Sequence, residues 1–240
     1  MDVTVAEYLV VAGAVFVGAV VQGSIGVGLN IVAAPFVALT VPEALPATLV
    51  LIAVPLAITT LLREHHAVHR VALPWMLAGA LPGTAVGLLI LEVADVRTLT
   101  VIVASTVLVG VLLSVLAPPV PITRTTAFVA GLTSNVFGTA TAVGGPPVAL
   151  LFQHTPGPTA RATLGAAFAW SASLSIVGYV AIGEISGDQV LFALALAPVM
   201  VTGLWISRRF HVHVDGGWLR PAVLALSAVA GLAALLRAVT

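Results

Sequence analysis

Residues 3–21, 44–62, 71–91, 97–117, 160–182, 189–206 and 219–238 form apolar runs with only short polar loops between them. Each is close to the roughly 20 residues a helix needs to cross a bilayer core. Lipid gives backbone N–H and C=O groups no partners, so only helical bundles and closed barrels survive there, and long runs without alternation select the bundle. Charge content agrees: 8% of the 240 residues are charged, against about 25% in a soluble domain. The expected fold class is an all-α integral membrane protein, a polytopic helical bundle that leaves no room for a soluble domain. The first run lacks a basic leader and a cleavage site, and so is expected to be a retained membrane segment.

Two stretches interrupt the apolar pattern. One is Gly18-Ala-Val-Val-Gln-Gly-Ser-Ile-Gly-Val-Gly-Leu-Asn-Ile-Val-Ala-Ala-Pro35, the other Gly131-Leu-Thr-Ser-Asn-Val-Phe-Gly-Thr-Ala-Thr-Ala-Val-Gly-Gly-Pro-Pro147. Each opens on glycine, places an amide four residues later (Gln22, Asn135), passes through further glycines and ends at proline. Glycine and proline loosen a helix, and the freed backbone groups need partners other than lipid. Paired breaks in corresponding halves of an apolar chain point to a transport site near the midplane.

The halves read as repeats, 1–117 and 124–240, joined by a Pro-rich linker at 118–123. Each holds a broken hairpin and three long helices. The basic loop precedes the acidic loop in the first half and follows it in the second, as inverted topology predicts. If each hairpin goes in and returns, one side holds Arg63, Arg70, Arg124, Arg161, Arg208, Arg209 and Arg220, and the other only Arg97 and Arg237. Eight single crossings would split them four against five. The positive-inside rule therefore favours two inverted five-segment halves, with termini outside and loops 63–70 and 207–218 cytoplasmic. Whether the hairpin arms span fully or are re-entrant stays open.

No Asp or Glu lies near the centre of a span, which argues against proton- or cation-driven transport. The breaks instead offer helix N-termini, suited to an oxyanion. The expected substrate-binding residues are Gln22, Ser24, Gly26, Asn30, Thr133, Ser134, Asn135, Gly138, Thr139, Thr141, Gly144 and Gly145. Pro35, Pro55, Pro146 and Pro147 are expected hinges. Arg161 is assigned to gating; with His154 it either draws anions to the mouth or only orients the segment. An anion leaving a negative interior gains about 2.3 kcal/mol per charge per 100 mV, so efflux needs no coupling ion.

The paired stretches, above all Gln22-Gly-Ser-Ile-Gly-Val-Gly28 and Asn135 with Gly144-Gly-Pro-Pro147, resemble the TauE/SafE family of sulfite exporters. Chain length, repeat and short loops match along nearly the whole sequence. The resemblance implies a multi-pass permease of the bacterial inner membrane that moves sulfite or an organosulfonate such as sulfoacetate outward by alternating access. Leu29-Asn30 departs from the family pattern, where further small residues are expected.

Other residues have plainer explanations. Gly13, Gly18, Gly79, Gly83, Gly87, Gly203 and Gly231 are expected points of close helix packing. His65, His66 and His69 fit a solvated basic loop rather than a metal site, and without cysteine no thiolate site or redox chemistry exists. Trp75, Trp205 and Trp218 suit an interfacial belt, and Trp170 interior packing. No cofactor, metal, nucleic-acid partner or enzymatic activity is expected; the partners are a small anion and the bilayer, and oligomeric state is left open. An anion channel and a non-transporting membrane partner subunit are the alternative readings.

Overall fold

The computed structural model describes residues 1, 3–116, 118, 120–210 and 219–239. Among them are ten α-helices and no strand: α1 (Val5–Ile25), α2 (Leu29–Thr40), α3 (Ala47–Glu64), α4 (Ala72–Val93), α5 (Val96–Leu116), α6 (Arg124–Thr141), α7 (Gly145–Phe152), α8 (Gly157–Ile182), α9 (Gly187–Phe210) and α10 (Leu219–Val239). Six of them, α1, α3, α4, α5, α8 and α9, are long and apolar enough to cross a membrane. The chain is thus a polytopic helical membrane protein. Trp218 and the rest of 211–218, part of the expected cytoplasmic loop, lie outside the described residues, as does residue 119 of the linker.

Capping sets where the hairpins begin. Thr4 and Glu7 cap α1 reciprocally, and Thr123 with Thr126 does the same for α6. The first break is narrower than the sequence suggests. Polar Gln22 and Ser24 stay helical, because Ser24 returns its hydroxyl to the Val20 carbonyl at 2.8 Å. The helix ends only where the backbone turns left-handed, at Gly26 (φ 89°) and Gly28 (φ 147°). The second break turns at Ala142 (φ 63°), a residue with a Cβ. The hairpin arms are unequal: α1 has 21 residues and α2 12, α6 has 18 and α7 only 8. At 1.5 Å per residue α7 is about 12 Å long, too short to span.

The helices sort into two faces. Gly23 of α1 meets Ser207 of α9, and Gly203 of α9 meets Phe16 and Ala19, so α1 and α9 run side by side in one direction. Gly79, Gly83 and Gly87 of α4 lie against the Phe128–Thr139 stretch of α6, which runs parallel to α4. Helix α3 runs against α8, with Gly165 on Ala57 and Leu61. Helix α5 runs against α10, where Arg97 donates to the Ala238 carbonyl at 2.6 Å. Consequently α1 leads from the face bearing the N-terminus, here the first face, to the second, and α6 leads back. Several of the main helix pairings exchange in kind when each of α1–α5 is replaced by the helix five further on: α1·α9 with α4·α6, α3·α9 with α4·α8, α2·α10 with α5·α7; others, such as α2·α5 and α5·α6, have no comparable counterpart among the described residues.

Glycine does most of the close packing, at Gly18, Gly79, Gly83, Gly87 and Gly203, where an added Cβ would meet a neighbouring backbone at no more than about 3 Å. Gly13 departs from that expectation: nothing lies within 4 Å of its missing Cβ, and it is exposed. Trp170 departs too. It is 42% exposed on the bundle's outer surface rather than packed inside. That surface is largely apolar; Leu9, Leu62, Leu89, Val115, Val177, Leu191 and Val229 are at least 61% exposed, which fits lipid as the solvent.

Candidate functional site

The two breaks meet in the middle of the bundle. Asn30, in the first turn of α2, donates from Nδ2 to the Ala142 carbonyl at 2.8 Å, tying one break to the other. Gly145 fits against Val27 and Ile31 so closely that a Cβ there would lie 2.6 Å from Val27 Cγ2. Ser134 donates to the Gly144 carbonyl at 2.6 Å and holds the second turn closed. Beside this junction is a cavity of about 60 Å³, several times the 10–15 Å³ that one water centre requires.

Of the expected binding residues, Gln22, Asn30, Ser134, Asn135, Gly138, Gly144 and Gly145 line this cavity. Ser24, Gly26, Thr133, Thr139 and Thr141 do not. Thr133 and Thr141 return their hydroxyls to the Val129 and Phe137 carbonyls, the intrahelical bonding open to any membrane threonine. Thr139 is paired instead with Ser175, at 2.7 Å between hydroxyls. The lining residues outside the expected set include Val27, Gly28, Ile31 and Ala142 at the breaks, Val50 and Ala53 of α3, and Phe168, Ser171, Ala172 and Ser175 of α8. The four α8 residues form one helical stripe, and two serines four apart on an apolar helix were the available signal.

The paired amides have different duties. Gln22 accepts the Leu29 N–H at Oε1, 3.0 Å away, and so caps α2 across the break. Its amide nitrogen has no partner among the described residues. Asn135 is occupied on both sides, donating to the Gly131 carbonyl at 2.8 Å and accepting from the Thr84 hydroxyl at 3.3 Å. The Asn30 Oδ1 is buried and without a partner. No charged side chain is among the residues lining the cavity. Free donors come from Gln22, the Ser171 hydroxyl and the Asn30 and Ile31 amides in the first turn of α2, where the helix dipole is positive. Helix α7 adds little, since Pro146 and Pro147 have no N–H.

A larger vestibule of about 320 Å³ opens next to it on the second-face side and shares Val27, Gly28 and Ile31 with the cavity. Ser24, Ser114, Pro146, Gln153 and Arg161 are among its walls. Arg161 is engaged with Glu64, Nη2 to Oε1 at 2.6 Å, and donates from Nη1 to the Ser24 carbonyl at 3.2 Å. Towards the first face the bundle is packed instead. Val41, Leu45, Leu91, Val143, Tyr179 and Phe192 are buried there in one apolar cluster. Pro35 is buried within α2, and Pro55 is exposed within α3.

The histidines near the second face serve local structure. The His65 and His66 rings lie against each other tilted at 44°, with centroids 3.6 Å apart, and His69 Nδ1 accepts the Ala72 N–H at 3.1 Å at the start of α4. No group of three or more His, Asp or Glu able to hold a metal exists among the described residues.

Compared with known proteins, residues 10–234 match the family model described as Sulfite exporter TauE/SafE. No curated protein and no solved structure matches the chain.

Proposed function

The chain belongs to the sulfite exporter TauE/SafE family, and from that premise we propose that it carries a small sulfur oxyanion such as sulfite or sulfoacetate out of the cell by alternating access. The observation that carries this reading is the uncharged, donor-lined cavity at the meeting of the two helix breaks. Donors without a fixed cation hold an anion weakly enough to release it, which a carrier needs. Gln22, Ser171 and Asn30, with the backbone amides of Asn30 and Ile31 in the first turn of α2, are the proposed ligands; Ser134, Asn135, Gly138, Gly144 and Gly145 shape the walls. The Asn30 Oδ1 would accept from a protonated oxygen, such as that of hydrogen sulfite.

The exchange of main pairings and the opposite course of α1 and α6 support inverted repeats at 1–117 and 124–240. Arg63, Arg70, Arg124 and Arg161 belong to the second face, as do the ends of α9 and α10 that carry Arg208, Arg209 and Arg220. That bias supports a cytoplasmic second face in the inner membrane, with both termini outside. A vestibule on the cytoplasmic side and a packed seal on the other favour a carrier over a continuous channel. Pro35, Pro55, Pro146 and Pro147 are the proposed flexing points.

Sulfite flux into and out of proteoliposomes under an imposed potential tests the proposal. Saturable flux that follows the potential, and a fall of about tenfold in kcat/KM on Gln22→Ala, the size of one hydrogen bond to a charged group, are expected. Absence of flux for sulfite, thiosulfate and sulfoacetate would overturn it.

A further inference from the structure

Arg161 is the only charged side chain among the described residues that line the vestibule. It lies in the first turns of α8 and is largely buried, with 16% of its side chain exposed. Glu64, the last residue of α3, takes its Nε at 2.9 and 3.1 Å and its Nη2 at 2.6 Å. Nη1 reaches the Ser24 carbonyl at the end of α1. Two of the five guanidinium N–H donors, one on each terminal nitrogen, therefore have no partner among the described residues. Small residues make room for the group: a Cβ at Gly157 would sit 2.9 Å from Nη1, and one at Gly26 3.0 Å from the Arg161 Cα.

We propose that Arg161 is a second oxyanion station, placed in the vestibule ahead of the midplane cavity, and that Glu64 is its resident counter-ion. This rests on the reading of the cavity as an anion path. A lone guanidinium in a half-buried vestibule would hold an oxyanion too tightly to pass it on. Glu64 cancels most of that field and leaves a planar fork with two spare donors. An arriving oxyanion takes these donors and competes with Glu64 for the rest. As the anion moves on to the neutral donors of the cavity, the Arg161–Glu64 pair closes again, so no bare guanidinium is left behind to hold it. Because the same guanidinium holds the Ser24 carbonyl, occupancy of the station also bears on the end of α1, next to the break that forms the cavity.

The chain has no cysteine, so Ala149→Cys places a single thiol in the vestibule wall. The readout is the ratio of labelling rates for a sulfonate-bearing thiol reagent and its cationic, quaternary-ammonium analogue, measured on purified full-length protein. The reagent is itself the oxyanion probe, and the ratio cancels general changes in access. Arg161→Gln is expected to lower the ratio about tenfold, and Glu64→Gln to raise it by a similar factor. A ratio moved in the same direction by both variants, or by neither, would overturn the proposal and leave the pair as a structural clamp. Arg161→Lys, which keeps the charge, distinguishes loss of charge from loss of fold, since it should retain a ratio near the parent's. None of these readings requires flux, so failure of the transport proposal is seen separately in the proteoliposomes.

Discussion

At the level of single residues, the turns are decided by backbone conformation rather than by polarity. Gly28 combines a φ of 147° with a Val21 methyl 2.5 Å from where a Cβ would stand. Gly28→Ala is therefore expected to abolish stable protein, read as loss of the monodisperse species in detergent. Ala142 sits at φ 63° with its Cβ present, a conformation that costs a non-glycine residue about 1–2 kcal/mol. Ala142→Gly should leave Tm unchanged or raise it, since relief of strain is set against the freer unfolded chain; a clear drop would contradict the left-handed turn. Glu184, in the loop after α8, is pushed above the usual carboxylate range by burial. Its folded form binds the proton more tightly than the unfolded chain, so this residue adds stability as pH falls from its raised value toward the ordinary 4.5. Glu184→Gln should raise Tm at neutral pH and flatten the slope in that window, which thermal unfolding across pH measures. The need for glycine in the first break was legible from sequence. The turn at Ala142 was not, because alanine carries no mark of left-handed backbone.

Among the elements, α8 joins the two hairpins. Near its start Arg161 holds the Ser24 carbonyl at the end of α1, and near its end Tyr179 donates to the Thr139 carbonyl at the end of α6. Ser175 adds a hydroxyl contact to Thr139, and Ser171 lines the cavity between these points. Carbonyls in the last turn of a helix lack intrahelical partners, so both breaks depend on one helix for satisfaction. Tyr179→Phe removes the donor while keeping the ring, and should cost about 1–2 kcal/mol of stability. It should also lower the maximal flux with little change in half-saturation, since Tyr179 does not line the cavity; a large change in half-saturation alone would place the residue in binding instead. Apolar length was enough to recognise α8 as a span. Its partners were invisible, because a bond between residues 36 or 40 apart on different helices leaves no local pattern. The matched amides illustrate the same limit: position pairs Gln22 with Asn135, yet only packing reveals that one caps α2 and the other is bound within α6 and to α4.

Across the whole molecule, the bundle is asymmetric in access although several of its main pairings exchange in kind. The vestibule reaches the cavity's own lining residues from the second face, whereas the first-face side is closed by buried Val41, Leu45, Val143 and Tyr179. Under the proposed inverted-repeat, alternating-access reading, an exact two-fold arrangement would open or close both sides together, and this packing is one of two alternatives that exchange of the halves would interconvert. Cooperative packing makes such alternatives discrete rather than continuous. A thiol at each end reads the exchange: Ala149→Cys in the vestibule should label fast and Val143→Cys, fully buried, slowly. Under a sulfoacetate gradient that drives turnover, with an anion that does not consume the thiol reagent, the second rate should rise as the first falls. If both thiols gain reactivity together, a continuous pore is open and the carrier mechanism is wrong. If neither changes while flux proceeds, the path runs elsewhere than between the two breaks.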